Sequence, residues 1–382
     1  MLNLPQHSVV SRLQNQIGLT LRSRSAQQLK DSIIAVSMLS AGVCGTDLAI
    51  ITGARPGQAE VLGHEGVGVV VYAPAGCVIS KGTRVIVNPV HSKSPADVIG
   101  HSRDGIFCEW FWLESADALD GELLVSCPRD CLLENTELVL AEPVASVLYS
   151  LELLKSYGAR KLLLIRGSGT IAILAAKLWS IRVGRPAIVV SKSEAYASWL
   201  REYVHWPADI SVCSGEGLSG IIREYGRGDP DGGILCCTRE DAPGGLRLLL
   251  DTVEQGAAID LMAGFPTEYK EERLGNLALD RIRWNNIRGV SSAPPTSVID
   301  RLHNQAVRLI GHRGTSERHI LDAVDLLSHR VVSKDDLPRR VVSLKELPNV
   351  VGQMIARKNT QTDWIKTIVV FDGKGAGEII DS

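Results

Sequence analysis

Three side chains that zinc accepts as ligands stand in turn-prone or apolar settings of this sequence. Cys44 lies in the stretch A-G-V-C-G-T-D and His64 in L-G-H-E-G-V-G, while Glu142 lies in the apolar stretch A-E-P-V-A. A thiolate, an imidazole and a carboxylate form the mixed donor set of open catalytic zinc sites. Alone, such a cysteine or histidine would more often be an ordinary core residue. An acid within an apolar run, however, needs a cationic partner, and together the three residues predict a metal site.

A second motif, G-S-G-T-I-A, lies between a buried apolar run and a helical stretch. The first glycine of such a loop allows a tight turn, and the second lets the backbone approach a pyrophosphate, which sits at the helix N-terminus. The context of strand, loop, helix and next strand favours a dinucleotide site over an ordinary turn. The expected cofactor-binding residues of this loop are Gly167, Ser168, Gly169, Thr170 and Ile171.

The strand after the loop, predicted at residues 187–190, indicates which dinucleotide binds. An NAD site carries an acidic residue at the end of this strand to bind the ribose 2′-hydroxyl. Here Ser191 and Lys192 follow instead. A hydroxyl and an ammonium suit a 2′-phosphate, which a carboxylate would repel. NADP(H) is therefore favoured over NAD(H), the alternative being that Lys192 is a solvated loop residue.

The spacing of apolar residues changes once along the chain. Short Val- and Ile-rich runs interrupted by glycine predict strands from about residue 31 to 112. From about residue 138, apolar strands alternate with helical stretches, which predicts βαβ units on a parallel sheet. The expected division is a β-rich domain at 1–145, an α/β domain at 146–285 and a C-terminal segment at 286–382.

Composition excludes several classes of function. The 382 residues carry 41 Lys and Arg against 43 Asp and Glu, a net charge of −2, which argues against binding to nucleic acid or to a membrane surface. The eight cysteines contain no C-x-x-C pair, and no secretory signal precedes them. We therefore expect reduced thiols, a cytoplasmic location and a small-molecule substrate.

The four motifs G-V-C-G-T-D, L-G-H-E-G-V-G, A-E-P-V-A and G-S-G-T-I-A, in this order, resemble the zinc-dependent medium-chain dehydrogenase/reductase family. The likeness covers about residues 32–371 and is strongest to the sorbitol, threonine and glucose dehydrogenase branches. It implies an α/β protein with a GroES-like β-rich catalytic domain and a Rossmann domain built on a doubly wound parallel sheet. It further implies that the C-terminal segment returns to the first domain and that the protein is a homodimer or homotetramer.

The resemblance also assigns roles around the metal. Cys44, His64 and Glu142 would ligate one catalytic zinc. Glu65 would be the neighbouring carboxylate that enters or leaves the coordination sphere as water or substrate exchanges. Asp47 would orient His64 from behind.

Two further roles follow from the resemblance, and one departure affects them. Thr46 would take the proton of the substrate hydroxyl, and Lys366 would lie near the cofactor phosphates. Many relatives carry a histidine a few positions after the catalytic cysteine, where this chain has Leu48, Ala49 and Ile50. The proton relay beyond Thr46 would therefore use water or another group.

A second departure concerns the structural zinc lobe of the family. That lobe holds four closely spaced cysteines, whereas residues 88–107 of this chain contain none. We therefore expect no structural zinc. His91 and His101 occur there instead, and we interpret them as part of a surface or substrate-facing loop.

The expected activity is hydride transfer between NAD(P) and a secondary alcohol or ketone, with a polyol, sugar or aminocyclitol as substrate. The choice of substrate depends on the resemblance alone. Two alternatives stay open: a zinc-free NADPH-dependent reductase of the same superfamily, and a catalytically silent nucleotide-binding protein. The set of Cys44, His64 and Glu142 argues against the first, and the missing relay histidine favours the second mildly.

Overall fold

The computed structural model describes residues 2–94, 96–226, 228–356 and 364–372. The chain divides into two compact units. The first consists of Met1–Glu142, Gly314–Arg330 and Arg339–Ser382, and the second of Pro143–Arg313 and Val331–Pro338. These bounds differ from the expected 1–145, 146–285 and 286–382 mainly because residues 286–313 lie in the second unit.

The strands form by the expected alternation of Val- and Ile-rich runs with turns. In chain order, the strands of the described residues are β1 (Leu2–Leu4), β2 (His7–Arg12), β3 (Leu19–Arg24), β4 (Gln27–Leu29), β5 (Ile33–Val43), β6 (Glu65–Tyr72), β7 (Arg84–Val87), β8 (Trp110–Glu114), β9 (Leu124–Ser126), β10 (Leu163–Arg166), β11 (Ala187–Val190), β12 (Ile210–Cys213), β13 (Gly232–Leu235), β14 (Ala258–Leu261), β15 (Asn286–Ile287), β16 (Val290–Ser291), β17 (Thr296–Asp300), β18 (Gln305–Ile310), β19 (Arg339–Ser343) and β20 (Lys366–Val370).

Most helices of the described residues lie after residue 140, where apolar residues recur at helical spacing. In chain order, the helices are α1 (Gly45–Ile51), α2 (Ser115–Asp120), α3 (Asn135–Leu138), α4 (Ala141–Ser156), α5 (Thr170–Val183), α6 (Glu194–Tyr203), α7 (Leu218–Tyr225), α8 (Ala242–Thr252), α9 (Asp280–Trp284), α10 (Glu317–Ser328) and α11 (Leu347–Ala356). None of these helices combines the length and the apolar character needed to cross a bilayer.

The first unit is built on a sheet with the order β19-β20-β5-β6-β7-β9, and β8 also pairs with β5. The central strand β5 is buried along almost all of its length. Strand β20 joins β5 antiparallel, so the C-terminal part of the chain completes the sheet that the N-terminal part begins. The last strand of the described residues therefore belongs to the first sheet.

The second unit is built on a sheet with the order β12-β11-β10-β13-β14-β18-β17. All neighbours are parallel except β17, which runs antiparallel to β18. Because β10 pairs with both β11 and β13, the strand order reverses beside β10, and ligands of open α/β sheets bind outside the carboxyl ends of the strands at such a point. The doubly wound Rossmann sheet is confirmed, and the hairpin of β17 and β18 explains why residues 286–313 belong to it.

Candidate active site

Three of the predicted metal ligands come together at one end of the first sheet. The ligand atoms of Cys44, His64 and Glu65 lie within 4.8 Å of one another. Cys44 follows β5 and caps α1, and His64 directly precedes β6, which starts at Glu65. Since Gly42 of β5 pairs with Glu65 of β6, the end of one strand meets the start of the other. The sheet register therefore brings the three side chains together.

The carboxylate of Asp47 fixes the two turns that carry these ligands. Its Oδ2 accepts a 2.8 Å hydrogen bond from the backbone N–H of Cys44, and its Oδ1 accepts one of 3.1 Å from Gly63. The same Oδ1 lies 3.5 Å from Nδ1 of His64, and both side chains are buried. Burial alone would lower the pKa of His64, but the negative charges of Asp47 and Cys44 raise it well above its ordinary value. Asp47 therefore lies where it is able to orient the imidazole.

A buried ammonium contacts the third member of the cluster. Lys366 of β20 donates to Oε2 of Glu65 and, at 3.2 Å, to the carbonyl oxygen of Val43. Burial alone would lower the pKa of Lys366, yet attraction to Glu65 and Cys44 outweighs this effect and raises it. The expected place of Lys366 beside cofactor phosphates stays a prediction, and the structure adds a contact that sequence reasoning missed.

Glu142 lies in the first turn of α4, as expected, but is not one of the three clustered ligands. Its negative charge helps to raise the pKa of Lys366, so the two side chains interact electrostatically. Its role as a zinc ligand stays a prediction. Thr46 lies in the first turn of α1 and is half-buried, and its part in proton transfer also stays a prediction.

The expected surface loop contains a histidine that sequence reasoning did not connect with the cluster. The rings of His101 and His64 meet edge to face, with centroids 4.9 Å apart. Nδ1 of His101 lies 3.3 Å from a guanidinium nitrogen of Arg55. His91 lies instead near Asp117, with 3.8 Å between Nε2 and Oδ1. No spacing in the sequence indicates the contact between His101 and His64, because a long loop brings it about.

The predicted glycine loop of the second unit connects β10 to α5. A Cβ added at Gly167 would lie 2.6 Å from Sγ of Cys236, so only glycine fits there. A Cβ added at Gly169 would meet nothing within 4 Å, so this turn is open. Gly169 caps α5 without a side-chain hydrogen bond, and the first N–H groups of the helix are therefore available to an anion. Helix α5 begins at Thr170, and Ile171 is its second residue, as the motif predicts.

The strand that follows ends at a buried hydroxyl. Ser191 is 2% exposed, and its Oγ has no hydrogen-bond partner among the described residues. Next to it, the ammonium of Lys192 lies 3.3 Å from Oδ1 of Asp241, and the Lys192 side chain is 64% exposed. Arg166, at the end of β10, donates to the carbonyl oxygen of Val190 at 3.1 Å. Two cations therefore flank the orphaned hydroxyl, although sequence reasoning found neither Arg166 nor the pairing of Lys192 with Asp241.

Comparison with known proteins agrees with this architecture. Residues 30–120 match the family model of the alcohol dehydrogenase GroES-like domain. No curated protein sequence gives a significant match.

Solved structures resemble the chain over almost its whole length. A protein named a zinc-binding dehydrogenase from Sinorhizobium meliloti 1021, solved with NADP, is 20% identical with a TM-score of 0.71, covering 96% of this chain and 100% of that one. Galactitol-1-phosphate dehydrogenase of Escherichia coli is 18% identical with a TM-score of 0.71, covering 95% and 99%. An alcohol dehydrogenase of Thermotoga maritima is 18% identical with a TM-score of 0.70, covering 97% and 100%. The chain therefore contains an alcohol dehydrogenase GroES-like domain and has the fold of the medium-chain, zinc-binding alcohol and polyol dehydrogenases.

Proposed function

We propose that the protein is a zinc-dependent oxidoreductase that transfers a hydride between NADP(H) and a secondary alcohol or its ketone. The observation that carries this proposal is the cluster of Cys44, His64 and Glu65 at the junction of β5 and β6. The open turn at Gly169, the uncapped start of α5 and the shared fold support it.

The donor set fits zinc by its chemistry. Zinc accepts thiolate sulfur, imidazole nitrogen and carboxylate oxygen, and catalytic sites combine three such protein ligands with one exchangeable position. Cys44 and His64 would hold the metal together with Glu142 or Glu65. When bound, zinc would act as a Lewis acid that polarises the substrate oxygen.

The surrounding residues would prepare this site before any substrate arrives. Asp47 holds the backbone of both turns and faces the imidazole of His64, so the ring is fixed from behind. Lys366 holds Glu65 by a buried ion pair. Thr46 would accept the proton of the substrate hydroxyl at its Oγ and pass it outward, because a hydroxyl both accepts and donates.

The cofactor would bind at the carboxyl edge of the second sheet. The open turn at Gly169 and the uncapped start of α5 suit a pyrophosphate. Ser191 and Lys192 would bind the 2′-phosphate, since a buried hydroxyl without a partner and a neighbouring ammonium supply a donor and a charge. NADP(H) is therefore the cofactor we propose.

The proposed substrate is a polyol, sugar or aminocyclitol. This choice comes from the likeness of the motifs to the sorbitol and glucose dehydrogenase branches. Galactitol-1-phosphate dehydrogenase and L-idonate 5-dehydrogenase of Escherichia coli, which act on polyhydroxylated compounds by name, share the fold. We further propose a homodimer or homotetramer with one catalytic zinc per chain and no structural zinc.

Metal content tests the proposal and separates it from its alternatives. Elemental analysis of purified protein should give one zinc per chain, and Cys44→Ala should remove both the zinc and the NADP⁺-dependent oxidation of polyols. Cys77→Ala is the matched control, because this half-buried cysteine lies outside the cluster. NADPH binding without zinc would favour a zinc-free reductase if an activated double bond is reduced, and a silent nucleotide-binding protein if no substrate reacts.

A further inference from the structure

Three arginines converge at the carboxyl edge of the second sheet, away from the glycine loop in sequence. Arg239 follows β13, Arg283 lies in α9, and Arg313 follows β18. We call this group the arginine cluster. The carboxyl ends of the strands are where open α/β sheets bind their ligands. No motif in the sequence singles out these residues.

The guanidinium of Arg239 packs directly against Gly264. A Cβ added at Gly264 would be 2.5 Å from Nη2 of Arg239, so a larger residue there would have to displace the guanidinium. Nη1 donates to the carbonyl oxygen of Phe265 and lies 3.7 Å from Oδ2 of Asp280. Since Asp280 is 44% exposed, the single acid paired with Arg239 is partly solvated.

Arg283 of α9 packs against a second glycine, Gly311, which follows the neighbouring strand β18. A Cβ added at Gly311 would lie 2.9 Å from Cγ of Arg283. The Nε of Arg283 makes a long hydrogen bond of 3.4 Å to the carbonyl oxygen of His312. No carboxylate of the described residues forms an ion pair with Arg283. Arg283 is thus held by the packing of its Cγ and by its Nε, and its two terminal nitrogens are left to donate hydrogen bonds to a ligand.

Arg313 completes the cluster above an aromatic ring. Its guanidinium carbon lies 4.0 Å from the ring centroid of Trp284, which is a close cation–π contact. Its Nη1 is buried and has no hydrogen-bond partner among the described residues. A buried donor on a charged group costs free energy until an acceptor reaches it.

The charges of the cluster are not balanced locally. Burial lowers the pKa of Arg283, and burial together with repulsion from Arg283 lowers the pKa of Arg313 to about 10. Within the described part of the chain, Asp280 alone forms an ion pair with the cluster, to Arg239. Asp260 is the other acid that acts on Arg283. Two carboxylates therefore act on three guanidinium groups, which leaves a net positive charge at this edge for an anion.

We propose that Arg239, Arg283 and Arg313 bind a phosphate group of a small-molecule ligand. Guanidinium groups bind phosphate through paired, charge-assisted hydrogen bonds, and three arginines match its three terminal oxygens better than the two oxygens of a carboxylate. The site requires neither zinc nor hydride transfer, so it goes beyond the proposed function and does not depend on it. The phosphate belongs either to NADP(H) or to a separate ligand.

Inorganic phosphate is the probe for this site. We would follow the unfolding midpoint and the tryptophan fluorescence while sodium phosphate replaces sodium chloride at constant ionic strength, with acetate as the carboxylate probe. Phosphate should raise the midpoint, because a ligand of the native state stabilises it. Arg313→Gln and Arg239→Gln should weaken phosphate binding by about ten-fold or more, the scale of a lost charge-assisted hydrogen bond. Arg308→Gln is the matched control, since Arg308 also lies over a ring of the same unit.

The outcomes separate the two sources of the phosphate group. If NADP(H) supplies it, saturation with NADP⁺ should abolish the response to inorganic phosphate, whereas a separate ligand would leave the two responses additive. An equal response to acetate, no response of the wild-type protein, or an undiminished response of both arginine variants would overturn the proposal. In the last case phosphate binds elsewhere, for example at the loop of residues 167–171. Because the readout is binding, absence of zinc or dehydrogenase activity would leave this result intact.

Discussion

The ammonium of Lys366 contacts the carboxylate of Glu65 directly across strand β5, above Gly42. A Cβ added at Gly42 would lie 2.6 Å from Oε2 of Glu65 and 2.9 Å from Cε of Lys366. The missing side chain at Gly42 is therefore what lets residues of β20 and β6 meet over the strand between them. Both charged side chains are only 3% exposed, so each depends on the other for compensation.

Replacing Lys366 with Met should destabilise the metal-free protein. The change leaves the carboxylate of Glu65 buried without its partner, and breaking a buried pair in this way costs about 3–5 kcal/mol. Urea unfolding of the zinc-free protein measures the effect. The double variant Glu65→Gln with Lys366→Met should recover most of the loss, because no uncompensated charge remains. Equal losses in the single and double variants would show that the ion pair itself contributes nothing.

Thr46→Ala should lower turnover by about 100-fold or more, whereas Thr46→Ser should retain most of it, because only a hydroxyl relays a proton. The KM of the alcohol should change much less than kcat. Thr52→Ala is the matched control at the C-terminal end of the same helix, since its hydroxyl donates to the carbonyl oxygen of Leu48 at 2.9 Å. Wild-type turnover of the Ala variant across neutral pH would exclude a catalytic role for Thr46.

The cofactor preference depends on the charges next to Ser191. Ser191→Asp should shift binding toward NAD(H), and Lys192→Ala should weaken NADP(H) by about 1–3 kcal/mol. The structure adds a sharper test. Because Asp241 lies 3.3 Å from the ammonium of Lys192, Asp241→Asn should strengthen NADP(H) binding by freeing that charge. Fluorescence titration with NADPH and NADH measures all three, and tighter wild-type binding of NADH would contradict the assignment.

Local patterns were sufficient to predict the elements that carry the proposed site. The predicted strand at residues 187–190 is β11 residue for residue. The helical stretch predicted after the glycine loop is α5, which runs from Thr170 to Val183 before Gly184 ends it in a left-handed conformation. These features depend on periodicity and on glycine, which act between near neighbours in sequence.

Contacts across distant strands could not be predicted in the same way. The pairing of Lys366 with Glu65 depends on the register of β20 on β5 and of β5 on β6. The irregularities of β5 near Ala35 and Met38 set part of that register, and nothing in the alternation of apolar residues indicates them. The contact of His101 with His64 and the arginine cluster likewise depend on loop paths and on strand order, which sequence spacing does not encode.

Two fully buried carboxylates of the second unit should respond to pH in opposite ways. Burial raises the pKa of Asp260 to about 6. For Asp300, burial alone would raise the pKa, but hydrogen bonds from Arg273 and His303 lower it to about 2. An ordinary aspartate in the unfolded chain has a pKa near 3.9. Asp260 therefore takes up protons on folding, whereas Asp300 releases them.

The sign of each contribution follows from linkage. The raised pKa of Asp260 costs stability as pH rises from about 4 to about 6, and the full cost stays at higher pH. Asp260→Asn should therefore stabilise the protein by about 1–3 kcal/mol at pH 7 and change little at pH 4.

The lowered pKa of Asp300 contributes stability that is complete above about pH 4 and is lost as pH falls toward 2, so Asp300→Asn should destabilise by about 2–3 kcal/mol at pH 7. Urea unfolding of both variants between pH 4 and pH 8 measures these differences. Asp300→Asn also serves as the control, because it shows that replacing a buried aspartate with an amide does not stabilise the protein at every position. Loss of stability in Asp260→Asn at pH 7 would mean that the ionised carboxylate is compensated by its neighbours, Arg283 and His312.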